Sequence, residues 1–274
     1  MKEQTYILKN FSEFEPKHIF ECGQCFRWNK EEDGSYTGIF NENVLNVKKE
    51  NGQIIFKGIC KQDIKKVCIK YFDLERDYKK IKRKITIDEY MREAIAYGSG
   101  IRILNQDLWE VIISFIISAN NNIPRIKGII ERLSKAYGKP IKYNGKTYYT
   151  FPTKDELFNV TIEDYRKLGL GFRDKYIYKT VHTIDLETIN TKEDLLKLSG
   201  VGEKVADCIM LFGMNKFEVF PVDVWVRRVM NDLYIKSENE EKVNKEEIRK
   251  LAKEKYNDLC GIAQQYLFYW KREA

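Results

Sequence analysis

The stretch from Leu195 to Met230, LLKLSGVGEKVADCIMLFGMNKFEVFPVDVWVRRVM, decides how the chain is read. Its first residues close a short helix, Ser199-Gly200-Val201-Gly202 make a tight turn, and Glu203 to Met214 open a second helix. Two glycines one residue apart let the backbone take positive φ and come close to a ligand. The first N–H groups of the second helix meanwhile point outward at its positive end. Such a turn grips a phosphate whatever the base sequence, although a plain helical hairpin would read the same way.

Lys204 falls in the first turn of the second helix, beside Val201, Val205 and Ala206. The helix dipole and partial desolvation should both lower its pKa and free the amine, a nucleophile that forms Schiff bases. A solvated surface lysine is the plainer alternative. Asp223 is the only acid in the apolar run from Val219 to Val226. It suits the N-cap of a helix carrying Arg227 and Arg228, where a carboxylate stays ionised and can face a developing positive charge.

LSGVGEKVADC followed by PVDV resembles the helix-hairpin-helix, Gly/Pro-rich loop and Asp superfamily of DNA glycosylases, and within it the 8-oxoguanine DNA glycosylase/AP lyase family. The resemblance implies an enzyme that flips 8-oxoguanine, paired with cytosine, out of double-stranded DNA, excises it and cleaves the abasic strand by β-elimination through a lysine Schiff base. Lys204 and Asp223 become the catalytic pair. Gly200, Val201 and Gly202 hold DNA phosphate, Cys208 packs against one face of the base, and Pro221 belongs to the substrate site.

Shorter matches extend the resemblance from about Gly23 to Phe268. GQCFRW is similar to the family's GQSFRW, in which the glycine carbonyl accepts the N7–H that 8-oxoguanine has and guanine lacks. Gly23 takes that role, and a strand bulge alone would also explain a glycine there. SANNNIPRI is close to SSNNNIARI, which assigns Asn120 and Arg125 to the orphaned cytosine. LGLGFR stands for LGLGYR, so the turn pushes out Phe172 as a wedge and Arg173 as a DNA contact; Phe172 read alone is a core staple. GIAQQYLF resembles GWAQAVLF, which makes Gln264 the reader of the base edge and Phe268 its stacking partner. Trp225 replaces a histidine that commonly follows PVDV, and Lys271 stands where the family often has Asp.

The chain reads as α+β: an N-terminal antiparallel β-sheet domain with flanking helices (1–98), then an all-α helix-hairpin-helix glycosylase domain (99–274). Short β-branched and aromatic runs, TYIL, HIFEC, CFRWN, SYTGIF, VLNVKK and IIFKG, read as strands, with Asn51-Gly52 as a hairpin turn. From Lys61 the period turns helical, with a charged face from Glu75 to Lys84, and Tyr97-Gly98-Ser99-Gly100 marks the junction. Asp107 caps an apolar helix over Leu108–Ser118, Pro124 opens the next, and Thr153 with Glu156 and Thr161 with Asp164 suggest capping boxes.

A net charge of +7 mildly suits a polyanionic partner. The six cysteines are scattered, which argues against a disulfide framework and against the iron-sulfur loop of endonuclease III-like relatives. Two distant histidines give little support to zinc or triad chemistry. No cofactor or metal is expected, nor a membrane partner; a cytoplasmic, prokaryotic monomer is. A pyrimidine glycosylase, an alkyl-base glycosylase and a module that only holds DNA are the competing readings.

Overall fold

A computed structural model describes residues 2–273. Strands β1 (Glu3–Lys9), β2 (Trp28–Lys30), β3 (Tyr36–Phe40), β4 (Asn43–Glu50) and β5 (Gln53–Ile59) form one sheet in the order β1-β5-β4-β3-β2. Every neighbour in it is antiparallel. Asn51 and Gly52 take φ of 49° and 73°, as a two-residue I′ hairpin needs, and so set Glu50 opposite Gln53. The first strand then closes the far edge by pairing with the last, Thr5 opposite Lys57. Phe14, Trp28, Phe56 and Phe72 fill the core beneath this sheet, with Phe20 stacked on Trp28 at 4.0 Å.

The helices follow as α1 (Pro16–Phe20), α2 (Ile64–Tyr71), α3 (Tyr78–Ile85), α4 (Glu89–Tyr97), α5 (Leu108–Ser118) and α6 (Ile123–Tyr137). A second hairpin, β6 (Pro140–Tyr143) with β7 (Lys146–Tyr149), precedes α7 (Lys154–Leu157), α8 (Ile162–Lys167), α9 (Asp174–Thr183), α10 (Lys192–Leu196), α11 (Glu203–Gly213), α12 (Val224–Met230), α13 (Lys245–Tyr256) and α14 (Cys260–Glu273). Asp107 caps α5, Pro124 sits in the first turn of α6, and both expected capping boxes form. Lys79, Lys80, Arg83 and Lys84 of α3 are exposed, as a charged solvent face requires. Between the two bodies α2 packs under the sheet, whereas α3 and α4 join the helical core.

One expectation fails at the start of the sheet. HIFEC is not a strand: Pro16 sits in the first turn of α1 and, with its fixed φ, starts a helix that runs to Phe20. Gly23 consequently lies in the bend after α1 rather than in a strand bulge, at φ +86°. Gln24 pins this bend into the seam between the bodies. Its amide donates to the Ile19 and Arg102 carbonyls at 2.9 and 2.8 Å and accepts from the Leu104 N–H at 2.9 Å. Arg27 lies next to Glu110 across the same seam, 3.9 Å away. Burial nonetheless pushes the Glu110 carboxyl up to about 7.

All six cysteines are free and buried. Among the described residues no helix is long and apolar enough to cross a membrane.

Candidate active site

The hairpin between α10 and α11 is built as its sequence implies, with one difference. Gly200 is left-handed at φ +82°, while Gly202 is extended at φ −98°. The two glycines therefore serve different ends. A Cβ on Gly200 would stand 2.7 Å from the Tyr176 ring, so that position is needed for close packing. A Cβ on Gly202 would meet nothing within 4 Å, and no side chain caps α11 there. The first-turn N–H groups of α11 are thus left open to an anion.

The adjacent face of α11 is clamped. Lys192 reaches Glu203 at 2.6 Å and buried Asp207 at 2.8 Å, and Arg249 reaches Asp207 at 3.1 Å. This fixes the rotation of α11 about its axis and so holds Lys204 and Cys208, one turn apart on the neighbouring face, toward the cavity. The clamp had no signal in the sequence, because its members lie on three separate helices.

Lys204 is half-buried, with its nitrogen 5.9 Å from the centre of the Phe115 ring. Its amine is held above its ordinary value, first by Cys208, to which it hydrogen-bonds, and then by Asp223, against the pull of burial. The expected depression of this pKa does not occur: contact with Cys208 and the Asp223 carboxylate together outweigh desolvation. Burial in turn pushes the Cys208 thiol up to about 11, so it meets the lysine as a neutral group at neutral pH. Asp223 caps α12, accepting from the Val226 N–H at 2.8 Å, and is half-buried on the cavity wall.

That cavity, of about 50 Å³, gathers Gly23, Lys204, Cys208, Pro221, Asp223, Gln264 and Phe268. Phe115, Phe212 and Gln265 complete its wall. Phe115 and Phe212 stack at 5.4 Å and were legible only as core residues of apolar helices; they are core on one side and pocket on the other. Phe268 leans on Gly23, and the Arg272 guanidinium covers its ring at 5.2 Å while donating to the Glu21 carbonyl. Pockets for drug-sized ligands run to roughly 300–1,000 Å³, so an extruded base requires these side chains to part. Among the described residues no three His, Cys, Asp or Glu side chains converge as metal ligands.

The other expected DNA contacts gather on one rim. Phe172 is 55% exposed, the most exposed aromatic among the described residues; Tyr176 meets its ring edge-on at 6.0 Å and the Arg173 guanidinium lies over it at 4.3 Å. Asn120 is exposed at φ +49°, and exposed Arg125 spans to the Gly169 carbonyl at 3.4 Å. Arg173 is not pushed out. Only 1% exposed, it donates to the Ala119, Asn120 and Leu170 carbonyls. A guanidinium surrounded by three helix-end carbonyls is drawn inward to satisfy them, which makes Arg173 the brace of the Asn120 loop. Trp225 is 38% exposed beside Asp223. Lys271 turns away from the cavity, over Trp270 and toward Asp232.

Residues 6–112 match the model of the 8-oxoguanine DNA glycosylase N-terminal domain, and residues 113–257 that of HhH-GPD superfamily base excision DNA repair proteins. The chain is 32% identical to the N-glycosylase/DNA lyase of Saccharomyces cerevisiae, over 94% of its own length and 84% of that protein's. It is also 32% identical to a probable N-glycosylase/DNA lyase of Methanothermobacter thermautotrophicus, over 74% and 72%. The structure of Clostridium acetobutylicum 8-oxoguanine glycosylase/lyase with double-stranded DNA containing cytosine opposite 8-oxoguanine superposes with a TM-score of 0.92. It shares 44% identity, over 99% of this chain and 97% of that one.

Proposed function

The chain belongs to the 8-oxoguanine DNA glycosylase/AP lyase family of the helix-hairpin-helix superfamily, and from that premise we propose how its own residues excise 8-oxoguanine and cut the strand. The open N–H groups after Gly202 take a backbone phosphate, and Phe172 enters the space the extruded base vacates. Asn120 and Arg125 contact the segment that carries that wedge, through Arg173 and Gly169, which suits recognition of the widowed cytosine by an amide and a guanidinium edge. Once the side chains of the cavity part, the base lies between Cys208 and Phe268, with its N7–H toward the Gly23 carbonyl and its Watson–Crick edge toward Gln264. Guanine would turn a lone pair on that carbonyl, a mismatch worth about 1–3 kcal/mol.

In the chemistry, the C1′–N9 bond breaks and its electron pair leaves with the base. Asp223 offsets the positive charge left on the sugar, and the Lys204 nitrogen forms the new bond to C1′. Lys204 begins as an ammonium, since its neighbours hold its pKa up. It must lose a proton just as the departing base needs one, so transfer between the two closes the proton balance. Opening of the sugar ring gives an iminium, which acidifies the C2′–H; loss of that proton expels the 3′ phosphate. Water then hydrolyses the imine and returns the lysine.

The reading is carried by seven side chains and backbone groups, assigned from separate stretches of sequence, converging on one cavity. Borohydride trapping on duplex DNA containing 8-oxoguanine opposite cytosine tests it. A covalent adduct is expected with the parent chain and none with Lys204→Ala. An adduct that survives the substitution, or a parent chain that forms none, refutes the assignment.

A further inference from the structure

Gln264 and Gln265 are consecutive on α14, each only 4% exposed, and both line the cavity. Gln265 donates its Nε2 to the Gln264 Oε1 at 3.2 Å. Its own Oε1 is buried and has no hydrogen-bond partner among the described residues. Folded proteins seldom keep such an acceptor unless something outside the chain supplies the donor. The related motif has alanine at this position, so the feature belongs to this chain.

We propose that Gln265 is a second reader of the bound base, accepting a hydrogen bond from the exocyclic 2-amino group of 8-oxoguanine. The Watson–Crick edge of a guanine-type base carries two adjacent donors, N1–H and the 2-amino group. Gln264 offers one acceptor oxygen, with one lone pair taken by the Gln265 amide and one left for a donor, and the Gln265 oxygen on the same cavity wall supplies the second acceptor that two donors need. The Gln265 Nε2 also fixes which way the Gln264 amide faces, because it needs an oxygen there. The lesion is thereby recognised at a point remote from its oxidised edge. An adenine- or hypoxanthine-derived base, with no 2-amino group, leaves the Gln265 oxygen unmatched in a closed pocket, and sites built around such an acceptor reject the analogue lacking the donor.

This inference rests on the reading of the cavity as the receptor for 8-oxoguanine, and the test separates the two. Single-turnover excision is measured on duplexes carrying 8-oxoguanine or 8-oxohypoxanthine opposite cytosine. The parent enzyme should favour 8-oxoguanine by about tenfold or more. Gln265→Met, of similar volume without the amide, should bring the ratio close to one, while its thermal midpoint without DNA rises by about 2–4 °C as the orphan oxygen disappears. Equal rates on the two substrates with the parent enzyme overturn the proposal without any variant. So does a ratio unchanged in Gln265→Met, including the case in which only the midpoint moves, which would assign the oxygen to solvent. A parent enzyme that acts on neither substrate refutes the function itself instead.

Discussion

Two residues carry opposite duties at one helix end, and they separate cleanly by substitution. Asn caps a helix about as well as Asp, so Asp223→Asn should leave α12 intact and DNA affinity nearly unchanged. It removes the charge that faces the sugar, and single-turnover excision should fall by about 10²–10³. Loss of binding in parallel with rate would mean that Asp223 acts only through the fold. Lys204 gives a second test, from the direction of its shift. On an abasic duplex no departing base accepts its proton, so adduct formation should rise about tenfold per pH unit up to the raised pKa of the amine. On 8-oxoguanine DNA the rise should be shallower, and equal slopes on both substrates would exclude proton transfer to the base. At this scale the pocket residues were legible because each sits in a short motif with fixed neighbours. Arg173 and Gln265 were not: whether a guanidinium turns out or in depends on carbonyls from another segment, and two adjacent glutamines look alike until one amide is found tied to the other.

Helix ends and hairpins were read well, since a cap or an Asn-Gly pair acts through residues two to four positions away. HIFEC failed because apolar alternation over five residues suits a strand as well as a short helix, and Pro16 decided it. Gly200 shows how an element depends on its neighbours. Its Cβ position collides with Tyr176, whose ring in turn meets Phe172, so hairpin and wedge form one mechanical unit. Gly200→Ala adds a left-handed alanine as well as the clash and should destabilise the protein by about 1–3 kcal/mol in urea unfolding. Affinity for undamaged DNA should drop with it. A variant that keeps parental stability would show that Tyr176 is free to swing aside.

For the whole molecule, sheet order was beyond reach of the sequence: hairpins dictate β2 to β5, but the docking of β1 on β5 joins residues more than forty positions apart. The sequence suggests a junction at 97–100 and does not reveal that α3 and α4, before it, leave the sheet for the helical body, because their apolar faces suit either. The seam between the bodies has its own pH signature. Glu110 has a folded pKa of about 7, above its unfolded value, so the folded state binds the extra proton and stability falls as pH rises between those values. Its contribution should be at most about 3 kcal/mol, and Glu110→Gln should flatten that part of the profile relative to the parent chain when urea midpoints at pH 5.5 and 7.5 are compared. Identical profiles would show that Arg27 keeps the carboxylate ionised. The six sheltered cysteines give the last consequence. Oxidants attack thiolates, and burial holds each of these sulfurs in its protonated form, Cys22, Cys60, Cys208 and Cys260 up to about 11. Oxidants that attack thiolates therefore find little to react with in the protein that removes an oxidised base.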